Sequence, residues 1–104
     1  MVIELLKFKV APARREEFIH NDAEIWTPII ASSPGFLGKE VWINPAEPTE
    51  VIMVIRWATC EQWKSFPQEL LHRTEKKFAE AMGKSYQMLE SLEYQVRQFP
   101  STHP

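Results

Sequence analysis

The feature that most constrains the fold is the segment VIMVIRW at residues 51–57, which is apolar on both sides when it is drawn as a β-strand. Successive side chains of a strand point to opposite faces of the sheet, and only Arg56 interrupts the apolar run. A strand with one face in water normally alternates apolar and polar residues instead. We therefore expect the sheet that contains this strand to be covered on both faces.

The periodicity of the rest of the chain predicts the element order β-α-β-β-α-β. Apolar residues recur at every second position in predicted strands and at every third or fourth position in predicted helices. The predicted elements are a strand over residues 2–10, a helix from about Ala13 to Ala31, strands over Phe36–Ile43 and Val51–Trp57, a helix from Thr59 to about Met82, and a strand over residues 92–97. Right-handed crossovers fold this order into a ferredoxin-like α+β domain, a four-stranded antiparallel sheet with two helices on one face.

Turn and capping residues indicate several of these boundaries. Asn44–Pro48 supplies the turn of a hairpin between the second and third strands. Thr59 and Gln62 have the spacing of a capping box at a helix start, and Pro67 predicts a break in that helix. Gly83 provides the helix stop.

Each predicted helix has one stripe of residues that should face the sheet, because residues three and four apart lie on the same side of a helix. The stripe of the first helix consists of Phe18, either Ile25 or Trp26, and Ile29. The stripe of the second helix consists of Leu71, Thr74, Phe78 and Met82.

Length and composition narrow the class of protein. The 104 residues, of which 44% are hydrophobic and 25% charged, predict one globular domain over residues 1–99 and a loose tail over residues 100–104. A net charge of −2 lacks the clustered cations that a nucleic-acid partner requires. Charges interrupt the N-terminal apolar run, and no segment is long and apolar enough for a membrane helix, so we expect no membrane partner. The prediction is a cytoplasmic protein, which the lone Cys60 also fits.

The two predicted helices can cover only one face of the sheet. The first strand adds Ile3 and Leu5 to the face that they leave open, beside the third strand. An exposed apolar patch of this kind marks an interaction surface in soluble proteins. Two-fold association is the commonest form of self-assembly, so we expect a homodimer through the sheet face. The alternative is that residues 99–104 fold over this face.

Several segments carry a resemblance to a known family. The segment SPGFLGKEVWI, the Asn-Pro turn, VIMVIRW and the Thr-capped helix that opens CEQW resemble antibiotic-biosynthesis-monooxygenase (ABM) domains of the dimeric α/β-barrel superfamily, over residues 2–97. The segments IRWATCEQWKSFPQELLH and YQMLESLEYQVR are also similar to a small family of short uncharacterised proteins from photosynthetic bacteria. The ABM family includes oxygenases that convert phenolic polycyclic compounds to quinones without metal or flavin, and it also includes haem-degrading enzymes. The resemblance implies a pocket between the sheet and the helices of each subunit.

Four residues are the candidates for such a pocket. His72 lies near the apolar stripe of the second helix, where haem-degrading relatives carry their axial histidine, and a neutral imidazole can take a proton from a phenol. Trp26, Trp63 and Phe66 could line a flat apolar ligand pocket. The alternatives stay open, since a histidine can simply lie on the helix surface and large aromatic residues usually only fill a core.

Other reactive residues give weaker patterns. His20, Asp22 and Glu24 are possible metal ligands, but only His20 and Glu24 could share a helix face and they have no spaced third ligand, so we predict no metal. Cys60 at a helix start is expected to be an inert thiol. The charged strand residues Arg56, Glu40 and Glu93 are expected to form structural ion pairs. No glycine-rich phosphate motif is present, so no nucleotide or other cofactor is expected.

The sequence leaves three functional hypotheses. The first is a homodimeric, cofactor-independent oxygenase that acts on a small aromatic compound, with His72 as the base. The second is a non-catalytic dimeric module that binds a small ligand or regulates a partner, with its pocket filled by its own side chains. The third, haem binding or degradation, is disfavoured because the first strand lacks the asparagine of those relatives and Phe66 stands where they carry a tryptophan.

Overall fold

The computed structural model describes residues 1–99 and confirms the predicted ferredoxin-like α+β fold. Four antiparallel strands lie in the order β2-β3-β1-β4. The strands are β1 (Val2–Val10), β2 (Phe36–Asn44), β3 (Glu47–Trp57) and β4 (Tyr86–Gln95), and the helices are α1 (Arg15–Asn21), α2 (Thr27–Ala31), α3 (Cys60–Lys64) and α4 (Gln68–Met82). The predicted tail, residues 100–104, lies outside the described residues. No helix in the described part of the chain is long and apolar enough to cross a membrane.

The strand register assigns the two faces of the sheet. Leu6 is opposite Met53 and Phe8 is opposite Val51 across the β1–β3 pair. These side chains point towards the helices, where they form the core together with Phe18 and residues of α4. We refer to this side as the inner face and to the opposite side of the sheet as the outer face.

The central strand β3 is apolar on both faces, as its sequence indicates. Ile55 and Trp57 of the inner face are each 1% exposed. Val54, which points to the outer face, is only 2% exposed because it lies between Leu5 of β1 and Glu40 of β2. The outer face is therefore packed along its centre even without a covering helix.

Two strands are longer than the sequence predicted. The predicted start of β4 at residue 92 is wrong, since the strand begins at Tyr86. The β1–β4 register shifts between Lys7 and Phe8, which leaves Leu89 without a partner in β1, and this bulge interrupts the alternation on which the prediction depended. β3 begins at Glu47 instead of Val51, because Glu47 already pairs with Asn44 across a short turn.

The first helical segment contains an irregular turn that periodicity did not predict. A 3-10 turn over Pro12–Arg14 leads into α1, and a π turn over Asp22–Trp26 separates α1 from α2. Phe18 and Ile30 are both buried against the sheet, although a regular helix would place them about 120° apart around its axis. The wide π turn takes up one extra residue and reduces this offset to roughly 20°. The prediction that Ile29 faces the core is wrong for this reason, since Ile30 is the buried residue.

The second helical segment follows its sequence closely. The Thr59 hydroxyl accepts a hydrogen bond from the backbone N–H of Gln62 at 3.1 Å, which starts α3. Pro67 has extended dihedral angles and divides α3 from α4, and Gly83 ends α4 with a φ of 62°. Thr74, Phe78 and Met82 are buried beneath α4, as predicted, and Leu71 is half-buried.

Candidate functional site

A cavity of about 790 Å³ lies between the inner face of the sheet and the helices. Its walls are mostly apolar, and they include eight aromatic residues: Phe8, Phe18, Trp26, Trp57, Trp63, Phe66, Phe78 and Tyr86. Exposed residues of α4 and β4, including His72 and Met88, border the cavity on its solvent side. A concave, mainly apolar cavity with a few polar groups is the usual form of a small-molecule site.

All four residues singled out in the sequence line this cavity. Trp26, Trp63 and Phe66 are half-buried in its wall, beside the core cluster that contains Trp57. His72 is exposed on α4. Their roles in ligand binding and proton transfer remain predictions.

The cavity also contains a half-buried carboxylate that the sequence analysis did not select. Glu4 of β1 accepts a hydrogen bond from the indole N–H of Trp57, with a distance of 3.1 Å between Nε1 and Oε1. Burial raises the pKa of Glu4 above its ordinary value, although the Trp57 hydrogen bond and the charge of Lys64 act in the opposite direction. Glu4 is thus a proton-binding group inside an aromatic cavity.

A buried ion pair forms a second polar element of the cavity. Lys39 Nζ lies 2.7 Å from Asp22 Oδ2, and the two side chains are only 5% and 7% exposed. The Lys39 ammonium also donates a hydrogen bond to the hydroxyl of Thr27 at 3.1 Å. Burial raises the pKa of Asp22, and the neighbouring Lys39 charge opposes that rise. Asp22 begins the π turn, so this irregular turn sets the position of the carboxylate.

The strand register places Glu4 and Lys39 in one row across the inner face. Ile55 of β3 pairs with Glu4 of β1 on one side and with Lys39 of β2 on the other. Neighbouring strands are about 4.8 Å apart, so the Cα atoms of Glu4 and Lys39 are separated by roughly 10 Å. A carboxylate and an ammonium group therefore flank a buried isoleucine on the floor of the cavity.

The sequence contained a signal for one of these polar residues, Glu4. Glu4 has the same parity as Val2, Leu6 and Phe8, so it had to face the core of any sheet that those residues cover. A charge at a core-facing position needs a partner or a function. The Asp22–Lys39 pair had no comparable signal, because their contact depends on the π turn.

The remaining candidates lie outside the cavity or play structural roles. Arg56 and Glu40 form the expected ion pair on the outer face. Cys60 donates a hydrogen bond from Sγ to Glu93 at 3.4 Å, and this contact raises the pKa of the thiol. His20 and Glu24 are both exposed. Within residues 1–99 no group of three or more His, Cys, Asp or Glu side chains could hold a metal ion.

The fold and the position of the cavity define the class of protein. Residues 1–77 match the sequence profile of the antibiotic biosynthesis monooxygenase family. This match covers most of the chain, and the protein therefore belongs to the antibiotic biosynthesis monooxygenase family. No curated protein matches the chain.

Solved structures of the same type superpose on nearly the whole chain. A protein of Bordetella bronchiseptica, assigned to the antibiotic biosynthesis monooxygenases, has a TM-score of 0.74 and 15% identity, with 93% of this chain and 97% of that chain covered. SnoaB of Streptomyces nogalater, a cofactor-independent oxygenase, has a TM-score of 0.67 and 19% identity, with 94% of each chain covered. A similarly assigned protein of Bacteroides thetaiotaomicron has a TM-score of 0.68 and 21% identity, with 99% of this chain and 94% of that chain covered. At these identities the likeness establishes the fold.

Proposed function

We propose that the protein is a cofactor-independent oxygenase that acts on a small aromatic compound and works as a homodimer. The observation that carries the proposal is the cavity of about 790 Å³, which combines aromatic walls with a few ionisable groups. Aromatic walls suit a flat ring system, and an ionisable group at the ring edge can start its oxidation.

The proposed reaction requires one proton acceptor and dioxygen. His72 at the border of the cavity takes the hydroxyl proton of a phenolic substrate, and the phenolate passes electrons to dioxygen. A C–O bond then forms at a ring carbon, the O–O bond breaks, and one oxygen atom leaves in water. For a simple phenol the balance is one phenol and one dioxygen giving one quinone and one water, whose two hydrogens come from the hydroxyl and the ring C–H.

Three half-buried aromatic residues are proposed to exclude water from this reaction. Trp26, Trp63 and Phe66 line the cavity on the side of the buried Trp57 cluster. Water that reached the phenolate would stabilise its charge and slow the electron transfer to dioxygen. The likeness to SnoaB, itself a cofactor-independent oxygenase, supports the same type of chemistry in this fold.

The cavity also bears on the alternative of a non-catalytic module. That hypothesis expects a pocket filled by the protein's own side chains, whereas this cavity is large and is bordered by exposed residues such as His72. Its volume is within the range of small-molecule sites. The geometry therefore favours a site that admits a ligand.

Oxygen uptake with anthrone or a substituted hydroquinone tests the activity. We expect turnover by the wild-type protein and a loss of about 100-fold in His72→Gln, because general-base groups contribute on this scale. His20→Gln is the matched control, since His20 is an exposed histidine on a helix away from the cavity. Absence of turnover across a panel of such substrates would contradict the proposal, and equal rates in both variants would remove His72 from it.

The proposed dimer forms through the outer face. Trp42, Leu92 and Tyr94 of this face are 44%, 37% and 52% exposed. In the register, Trp42 is opposite Ile52 and Leu92 is opposite Leu5, and Val54 of β3 connects the two pairs. These residues form an apolar band that the Lys7–Glu50 and Arg56–Glu40 ion pairs border. Burying such a surface against a second copy would contribute about 25 cal/mol for each Å² that is removed from water.

Light scattering on charge variants tests the dimer. Trp42→Lys is expected to convert the dimer to a monomer, because the charge would have to be buried in the interface. Val41→Lys is the matched control: Val41 is adjacent on β2, is 37% exposed and faces the other side of the sheet. A wild-type protein that is monomeric at micromolar concentration would refute the dimer.

A further inference from the structure

The short helix α3 is attached to the rest of the fold less firmly than the other helices. Phe18 of α1, Ile30 of α2 and Phe78 of α4 are buried, whereas none of the five described residues of α3 is buried. The backbone is extended on either side of α3, at Thr59 (φ −139°, ψ 156°) and at Pro67 (φ −62°, ψ 128°). A helix with few buried contacts between two non-helical joints is the kind of element that opens locally.

This weakly attached helix also forms part of the cavity wall. Trp63 and Lys64 of α3 line the cavity, as does Phe66, which follows the helix. Trp63 and Phe66 are half-buried against the cluster that contains Trp57. The Lys64 ammonium lies 3.9 Å from the centre of the Trp63 ring. A displacement of α3 would therefore widen the cavity and expose its aromatic wall.

Glu93 of β4 makes two polar contacts with α3. Lys64 Nζ lies 3.7 Å from Glu93 Oε1, and Cys60 Sγ donates a hydrogen bond to Glu93 Oε2 at 3.4 Å. The Lys64 and Glu93 side chains are 60% and 47% exposed, and ion pairs at such sites contribute little free energy. The contact between α3 and β4 can therefore break and form again readily.

The charge of the sheet beneath α3 explains the position of Lys64. Glu4 and Glu93 are opposite each other in the β1–β4 register, so two carboxylates lie side by side on the inner face. Burial raises the pKa of Glu4, and the charge of Lys64 and a hydrogen bond from Trp63 oppose this rise. The helix thus brings a positive charge and an N–H donor to two carboxylates that would otherwise repel each other.

We infer that α3 is a gate of the cavity, which Glu93 holds closed and which opens to admit and release a ligand. The moving segment runs from Thr59 to Pro67, and the passage that it controls lies between α3 and β4. Closing restores the contacts of Cys60 and Lys64 with Glu93. The inference goes beyond the proposed function, because access matters equally for a ligand that reacts and for one that is only bound.

A removable bridge between α3 and β4 tests the gate. Cys60 is the single cysteine of the chain, so Glu93→Cys provides one pair of thiols at the contact. A bis-methanethiosulfonate reagent with one methylene spacer joins two thiols through disulfides, and dithiothreitol removes it. Mass spectrometry identifies the internally bridged chain, and failure of the bridge to form would contradict the approach of α3 to β4. The control is Cys60→Ser combined with Glu93→Cys, which carries the reagent at one end only.

The rates of ligand entry and exit are measured with prodan, a neutral naphthalene dye whose fluorescence depends on the polarity of its surroundings. The bridge should slow both association and dissociation by about tenfold or more and leave Kd within about twofold, because it removes the open state without changing the closed one. Dithiothreitol should raise both rates above those of the wild type, since the reduced variant lacks Glu93. Unchanged rates in the bridged chain, or a change that the control shares, would overturn the inference.

Acrylamide quenching of tryptophan fluorescence gives a second readout that needs no bound ligand. In a Trp42→Phe background the remaining tryptophans all line the cavity: Trp26, Trp57 and Trp63. The bridge should lower their quenching rate constant by about half, because the open gate exposes the aromatic wall. If the bridge lowers quenching but prodan does not bind, the gate stands and the proposed aromatic site fails. Equal quenching in the bridged and cleaved chains would refute the gate, even if oxygen uptake supports the proposed function.

Discussion

The two faces of the sheet differ in the burial of charged and apolar side chains. On the inner face the charges of Glu4, Lys39 and Asp22 are buried or half-buried, and each charge has a polar partner. On the outer face apolar residues such as Trp42 and Tyr94 are about half exposed. Buried charge is expensive, and exposed aromatic surface is unfavourable in water. Neither face therefore follows the usual rule that apolar side chains are buried and charged side chains are exposed. The buried charges of the inner face suit the binding of a ligand, and the exposed aromatic residues of the outer face suit contact with a protein partner.

Two tryptophans of the β2–β3 hairpin show the same difference between the inner and outer faces. Trp57 is 1% exposed and holds Glu4 through its indole N–H, whereas Trp42 is 44% exposed on the outer face. The first tryptophan is both part of the core and a support for the cavity. The second contributes to the fold of the single chain only through its contacts within the sheet.

The largest expected effect contrasts these tryptophans. Trp57→Ala should lower the free energy of unfolding by about 3–5 kcal/mol, because it opens a large space in the core. Trp42→Ala should cost much less within one subunit and should instead weaken self-association. Denaturant unfolding at several protein concentrations measures both effects, since dissociation makes the midpoint depend on concentration. Equal and concentration-independent losses would show that the two faces do not differ in this way.

A second prediction concerns the buried ion pair. Lys39→Met should lower the free energy of unfolding by about 3–5 kcal/mol, because Asp22 would be left as an unpaired buried charge. Adding Asp22→Asn should restore much of this loss. Glu69→Gln is the control, because Glu69 pairs with Arg73 across 3.8 Å at an exposed site and such pairs contribute about 0–1 kcal/mol. A double variant no more stable than Lys39→Met would contradict the explanation.

The smallest effect is a difference in pH dependence between two glutamates. The pKa of Glu4 is raised above 4.5 mainly by burial, whereas the pKa of Glu50 on the outer face is lowered below 4.5 by its hydrogen bond with Lys7. Glu4 therefore loses its proton more easily in the unfolded protein. Its contribution lowers the free energy of unfolding as pH rises from 4.5 through the raised pKa of the folded state. Glu50 favours the folded state above 4.5, and this contribution is lost as pH falls through its lowered value.

Unfolding free energies of the wild type, Glu4→Gln and Glu50→Gln at a series of pH values test this prediction. The stability of the wild type relative to Glu4→Gln should fall as pH rises through the first interval. Its stability relative to Glu50→Gln should rise with pH through the second. If both stability differences changed with pH in the same direction, the two carboxylates would not have the different environments that their burial indicates.

The fold could be predicted because its elements follow simple periodicity. β3 is a continuous apolar run and the buried side of α4 repeats at helical spacing, and the cap at Thr59 and the stop at Gly83 are formed within a few residues. β4 was half missed because the bulge at Leu89 shifts the alternation of the strand. Sequence alternation does not predict a strand correctly across a bulge, because the extra residue has no partner in the neighbouring strand.

The sequence predicted the aromatic part of the candidate site and His72, but not its carboxylates and its lysine. Trp26, Trp63 and Phe66 follow from residue type and from the resemblance to a known family. Glu4 could have been selected from its core-facing parity on β1. The contact between Asp22 and Lys39 could not, because it joins a helix to a strand and requires a rotation of the helix that no local pattern encodes.

The π turn at Asp22–Trp26 also affects any comparison of this chain with its relatives. A relative with an uninterrupted helix has one residue fewer over the same length. Structural equivalence with such a relative requires a one-residue gap inside the helix, where alignments normally allow none. Without that gap, one half of the helix would be matched to residues on a different side, and the counterpart of the Lys39 partner would be sought at the wrong position.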